Sequence, residues 1–113
     1  MSEYFYALDA RKHYKDLMAA QKDMFQAFIT FNNEIFEKKS ALPRKVKELI
    51  AVAVAHTTQC PYCIEGHVKA AKKEGATEQE IAEAIFVAAA LRAGGAFAHS
   101  TVAMGVLKRE EGK

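Results

Sequence analysis

The sequence predicts an all-α fold, a compact domain of about five helices. Two observations carry that expectation, and a third bounds it. Apolar residues recur at three- and four-residue steps over much of the chain. No segment alternates apolar and polar residues over a useful length, so strand signals are almost absent. No Gly/Ser linker, low-complexity segment or solenoid-period repeat interrupts the pattern, and 113 residues hold one core. The expected domain is therefore the whole of 1–113.

The first helix is expected from Asp9 to Lys38. Tyr14, Leu17, Met18, Met24, Phe25, Phe28, Phe31 and Ile35 share one of its faces, and that face is expected to be core. Ser40-Ala41-Leu42-Pro43 breaks it, and Pro43 suits the first turn of the next helix. From Val46 to Ala55 the apolar residues surround the second helix, which predicts burial on most sides. A third helix opens near Cys60-Pro61 and runs to about Glu74, with Gly75 as its stop. Thr77-Glu78-Gln79-Glu80 fits a capping box, so a fourth helix starts there and runs to about Arg92. Gly94-Gly95 punctuates, a fifth helix covers Ala96 to about Lys108, and the tail from Arg109 to Lys113 is expected to fray. The alanines of the last third, with the two glycines, suggest close approach of helix axes.

Composition excludes several classes. Hydrophobic residues make up 50% and charged residues 27%, a globular balance that argues against disorder. A net charge of +2 is too small to argue for nucleic acid. Two cysteines cannot build a disulfide-dense secreted scaffold. Met1 to Ala10 holds no basic stretch followed by an apolar run, as a signal peptide requires. The longest charge-free stretch, Leu49 to Ile64, is interrupted by His56, Thr57, Thr58 and Gln59 and falls short of the roughly 20 residues of a spanning helix. A soluble cytoplasmic protein that binds no membrane is the resulting expectation. In that compartment a close cysteine pair points to redox chemistry or a metal. The basic cluster of Lys38, Lys39, Arg44, Lys45 and Lys47 is read as a surface loop and first turn. Lys69, Lys72 and Lys73 sit late in the third helix, where cations complement the dipole.

The chemistry concentrates in Cys60-Pro61-Tyr62-Cys63-Ile64-Glu65-Gly66-His67. Two cysteines at this spacing can form a disulfide across one helical turn. A thiol at a helix N-terminus is stabilised as thiolate, the nucleophilic form, by unpaired N–H groups and the dipole. His67 lies four residues after Cys63, on the same helix face, and can take its proton directly or through one water. Glu48 sits twelve residues before Cys60. A short turn at Thr57 to Gln59 brings it toward His67 or Cys63, a carboxylate orienting an imidazole that activates a nucleophile. Competing readings use the same residues. Cys60, Cys63 and His67 with His56 or His99 make a zinc set, the basis of a zinc-stabilised binding module. Buried free cysteines also act as small hydrophobes. Glu48 can be a dipole-friendly surface residue, and His56, His99 and Tyr62 satisfied polar groups near the core.

Glu48, Cys60-x-x-Cys63 and His67 at these spacings resemble the alkylhydroperoxidase D-like branch of the carboxymuconolactone decarboxylase family. Leu42-Pro43, Lys47-Glu48-Leu49-Ile50-Ala51, Cys60-Pro61-Tyr62-Cys63 and Gly75-Ala76-Thr77-Glu78 with Glu80-Ile81 are similar to the same family, and the resemblance runs from about Tyr14 to Leu107. It implies an all-helical fold, trimers or hexamers, and peroxidase or disulfide-reductase activity without a cofactor or metal. It implies Cys63 as the peroxide-attacking thiol, Cys60 as the resolving thiol, His67 as the activating imidazole and Glu48 as the carboxylate of a proton relay. The partners implied are a hydroperoxide or disulfide substrate and a dithiol reductant. One position departs: the enzyme that names the branch has His immediately before its second cysteine. Here that place is Tyr62, which is no base near neutral pH. Helices apolar on most sides are also too many for one chain to cover, which points to packing against other copies.

Overall fold

The computed structural model describes residues 7–112, and they are helical with no strand among them. Met1 to Tyr6, most of the segment read for a signal peptide, and Lys113 lie outside the described residues. A 3₁₀ turn at Leu8–His13 leads into α1 (Tyr14–Ala20) and α2 (Lys22–Phe36). Then follow α3 (Arg44–Thr58), α4 (Pro61–Lys73) and α5 (Glu78–Glu111).

The single first helix expected from the periodicity is two helices. Gln21 leaves the helical region at φ −148°, ψ 74°. The break sets the Tyr14 ring 6.4 Å from that of Phe25. On one continuous helix, eleven residues would separate them by about 16 Å. Neither Ala20, Gln21 nor Lys22 is a helix breaker, so only tertiary contact marks the fold-back.

The two helices expected after Thr77 are one. Gly94 and Gly95 cost about 1 kcal/mol each in a helix interior, and good helix formers on both sides carry the helix through. Arg109 to Glu111, expected to fray, belong to α5. By length and composition α5 is long and apolar enough to cross a membrane, with a mean hydropathy of 1.6 over its most apolar window.

The core sits between α3, α4 and the first half of α5. Val52, Ala71 and Ala76 are buried, with Leu49, Val68, Ile81 and Ile85 packed on them. Lys45 Nζ meets Glu80 Oε2 at 2.8 Å near the start of both helices, and Arg92 Nη1 donates to the Thr57 carbonyl at 3.3 Å. These two ties run α5 alongside α3 in the same direction. The capping box forms as expected: Glu80 N donates to Thr77 Oγ1 and Thr77 N to Glu80 Oε1. Gly75 ends α4 at φ 91°, where Gly75 N reaches Lys72 O and Ala76 N reaches Ala71 O, a Schellman stop.

The outer apolar faces depart from expectation. Val46, Ile50 and Val54 of α3 are exposed, so α3 buries one side only. Met24, Phe28, Phe31 and Ile35, expected as core, are exposed as well. The amphipathic pattern is present, but one chain supplies too little opposing surface to cover it.

Candidate active site

Gln59, at φ 57°, turns the chain between α3 and α4 in two residues. Cys60 becomes the N-cap of α4 and Pro61 its first residue, a position where a missing N–H costs nothing. Cys60 Sγ accepts from Cys63 N at 3.2 Å, and the two cysteines are joined as a disulfide. The pair thus sits where helix N–H groups favour thiolate once the bond is reduced.

The short turn also brings α4 back against α3. Glu48 is 1% exposed, a buried carboxylate that must be paired on both oxygens. His67 Nδ1 donates to its Oε1 at 2.7 Å, and Arg44 Nε donates to its Oε2 at 2.7 Å. Of the two approaches open to Glu48 in the sequence, the one to His67 is the one made. The carboxylate holds the imidazole proton on Nδ1 and leaves Nε2 as the basic nitrogen. Phe36 stacks on the same ring, 5.1 Å between centroids.

Arg44 extends the chain of charges. Its Nη1 lies 3.2 Å from Glu37 Oε2, and its guanidinium sits 5.8 Å from the centre of the Phe36 ring. The bond to Glu48 holds Arg44 protonated above its already high range. By sequence alone Arg44 belongs to a basic surface cluster. The available signal was its four-residue spacing to Glu48, which puts both on one turn-to-turn contact of α3.

Arg11 is the second residue that the motif did not reveal. Its Nη2 donates to the Tyr62 carbonyl, its guanidinium lies 5.8 Å from the centre of the Tyr62 ring, and Glu65 Oε2 is 4.0 Å away. Glu65 also pairs with Lys69 Nζ at 2.9 Å, and that bond, with the Arg11 charge, holds its carboxyl below the usual range. The N-terminal segment is thereby strapped onto the cysteine turn. Nothing in the spacing of Arg11 announces it.

Cys63 and His67 line two cavities of opposite character. One, of about 440 Å³, is walled by Ile35, Leu42, Ile50 and Val54. The other, of about 460 Å³, is walled by Arg11, Asn32 and Arg44 and includes Cys60. Cys63 is exposed and Cys60 half-buried. The zinc alternative finds no support in placement. Among the described residues no group of three or more His, Cys, Asp and Glu side chains is set to hold a metal ion. His56 and His99 instead direct Nδ1 to the Val52 and Gly95 carbonyls, at 2.7 and 2.8 Å.

Comparison with known proteins gives the family and the fold. The sequence model of the carboxymuconolactone decarboxylase family matches residues 22–105. Uncharacterized protein 4 in the cox locus of Paracoccus denitrificans is 55% identical over 86 residues, covering 76% of this chain and 77% of that protein. Uncharacterized protein YdfG of Bacillus subtilis is 38% identical over 53 residues, 47% of this chain and 36% of that protein. A crystal structure of a protein from Methanobacterium thermoautotrophicum matches with a TM-score of 0.70 and 31% identity, covering 76% of this chain and 96% of that one. The chain belongs to the carboxymuconolactone decarboxylase family.

Proposed function

We propose that this protein is a thiol-dependent oxidoreductase of the alkylhydroperoxidase D-like type, reducing hydroperoxides or disulfides through Cys60 and Cys63. The observation that carries this reading is the 2.7 Å bond from His67 to buried Glu48, with His67 and Cys63 on the wall of one cavity. His67 takes the Cys63 proton. The Cys63 thiolate attacks the terminal oxygen of the hydroperoxide, the O–O bond breaks, and the leaving alkoxide recovers the proton as an alcohol. Cys63 is then a sulfenic acid. The Cys60 thiol attacks its sulfur, water leaves, and the disulfide forms. A dithiol carrier returns two electrons and two protons by thiol–disulfide exchange and becomes a disulfide itself.

Tyr62 occupies the place of a second imidazole, so His67 alone serves as base in this cycle. The reading includes a cytoplasmic location, where dithiol reductants are kept reduced. It includes assembly of several copies, trimer or hexamer, which the exposed apolar faces of α2, α3 and α5 support.

The test is peroxide consumption with a dithiol donor, run beside Cys60→Ser and Cys63→Ser variants and a sulfenate trap. Trapping on Cys63 in the Cys60→Ser protein is the expected result. Trapping on Cys60 in the Cys63→Ser protein, and none in the other, reverses the two roles. Turnover by both variants removes the reading.

A further inference from the structure

The peptide that joins Tyr62 to Cys63 is hydrogen-bonded at both ends. Its carbonyl oxygen accepts from Arg11 Nη2, and its N–H donates to Cys60 Sγ at 3.2 Å. A carbonyl oxygen has two lone pairs, so the helix bond of α4 leaves one for the guanidinium. A cation on that oxygen draws electron density across the amide and makes the N–H a stronger donor. The charge of Arg11 is thereby passed through one peptide unit to the sulfur of Cys60.

Arg11 is set for this contact. Glu65 Oε2 lies 4.0 Å from Nη2 and is buried without a hydrogen-bond partner among the described residues. The guanidinium nevertheless gives its hydrogen bond to the peptide and lies toward the Tyr62 ring, 5.8 Å from its centre. Gly66 leaves the room. A Cβ there would stand 3.8 Å from Nη2, so a methyl group would touch the guanidinium and a longer side chain would displace it. The other charged groups near Cys60 are engaged with one another. Arg44 lies between Glu48 and Glu37, and Glu48 holds His67, all on the wall of the polar cavity. Tyr14 of α1 adds a phenol to the same wall.

We infer that Arg11 is a positioning residue for Cys60: by polarising the Tyr62–Cys63 peptide it holds Cys60 as a thiolate whenever the disulfide opens. In reduction, a thiolate of the dithiol carrier attacks the exposed sulfur of Cys63. The Cys60–Cys63 bond breaks, and Cys60 leaves with the electron pair. A better-stabilised thiolate leaves faster. The second carrier thiol then displaces Cys63 from the mixed disulfide. The carrier ends as a disulfide, and the cysteine pair has gained two electrons and the carrier's two protons. His67 thus serves Cys63, and Arg11 serves Cys60. The use of this device in turnover rests on the redox function proposed above, whereas its effect on Cys60 does not.

The experiment titrates Cys60 alone, by ultraviolet thiolate absorbance, in the reduced full chain carrying Cys63→Ser. Arg11→Gln is expected to raise the midpoint by about half a pH unit, roughly a threefold loss of thiolate near neutral pH. Arg11→Lys keeps the charge and is expected to lie nearer the unsubstituted residue. Gly66→Leu keeps Arg11 in the sequence but takes its place on α4, and is expected to follow Arg11→Gln. Circular dichroism confirms equal helicity. An unchanged midpoint in Arg11→Gln, or equal shifts in the Gln and Lys variants, overturns the role. With both cysteines present, opening of the disulfide by dithiothreitol is expected to slow about twofold in Arg11→Gln. Sulfenate formation at Cys63, followed in Cys60→Ser, is expected to keep its rate; slowing by the same factor overturns the assignment to Cys60. Absence of peroxide turnover in the wild type removes the proposed function and leaves the Cys60 titration to decide on Arg11.

Discussion

Glu48 and His67, nineteen residues apart, meet through a 2.7 Å hydrogen bond between α3 and α4, and the carboxylate end of that bond is buried. The bond needs a two-residue turn at Gln59, and Arg44 takes the other carboxylate oxygen. The imidazole is oriented from behind by a group that never reaches the sulfurs.

Glu48→Gln keeps the shape and removes the charge. Peroxide consumption is expected to fall roughly 10²- to 10⁴-fold, the range for losing a group that orients a catalytic imidazole. Circular dichroism and a stopped-flow peroxide assay on the same preparation check it; full activity in a folded variant counts against the relay.

Arg44→Met leaves the buried carboxylate with one partner. Breaking a fully buried pair costs about 3–5 kcal/mol. Arg44 is 32% exposed, which screens the pair, so a loss of about 2 kcal/mol in urea unfolding is expected. The double variant with Glu48→Gln recovers part of it, because no unpaired charge remains buried.

His67→Ala removes the base of the proposed cycle, a side chain that shares a cavity with Cys63. Turnover is expected to drop about 10²-fold or more. In the reduced protein, the pH profile of Cys63 alkylation shifts upward. A profile identical to wild type assigns thiol activation to the helix N-terminus alone.

How much of this was legible follows from the range of each interaction. Caps and stops act within five residues, and Thr77, Glu80, Gly75 and Pro61 do what their neighbours imply. Cys63 and His67 share a face because one helix carries both. The breaks required contacts from farther away. Gln21 bends the chain so that Tyr14 meets Phe25, and Gly94-Gly95 fails to bend it because its flanks are strong helix formers. Arg11 reaches Tyr62 across fifty-one residues, a distance at which spacing carries no signal.

Thr77→Ala tests the start of α5. Losing the cap costs about 1 kcal/mol, read as a lower urea midpoint at unchanged slope. Glu80 adds a pH dependence. Its carboxyl is held below the usual range, first by Lys45 and then by the Thr77 backbone N–H. A depressed carboxyl stabilises the fold above its unfolded value and loses that contribution as pH falls through the folded one. Glu80→Gln is thus less stable than wild type at neutral pH, and the gap closes on acidification below about pH 4.

Gly75→Ala isolates backbone strain. An added Cβ has nothing within 4 Å, so only the φ of 91° opposes it. A loss of about 1 kcal/mol is expected in thermal or urea unfolding; a gain shows that the end of α4 rearranges at no cost.

The bond between Cys60 and Cys63 closes a ring spanning three residue steps, inside the first turn of one helix. In the chain-entropy view, so small a ring constrains the unfolded chain by only about 2 kcal/mol, and it ties no second element. The turn that holds it is secured by other means, the α3–α4 packing and the Arg11 strap. Reduction of this bond, a step of the proposed cycle, therefore removes no tie between elements of the fold. Opening and closing the bond is then a change at one address and not in architecture, as the proposed redox cycle requires.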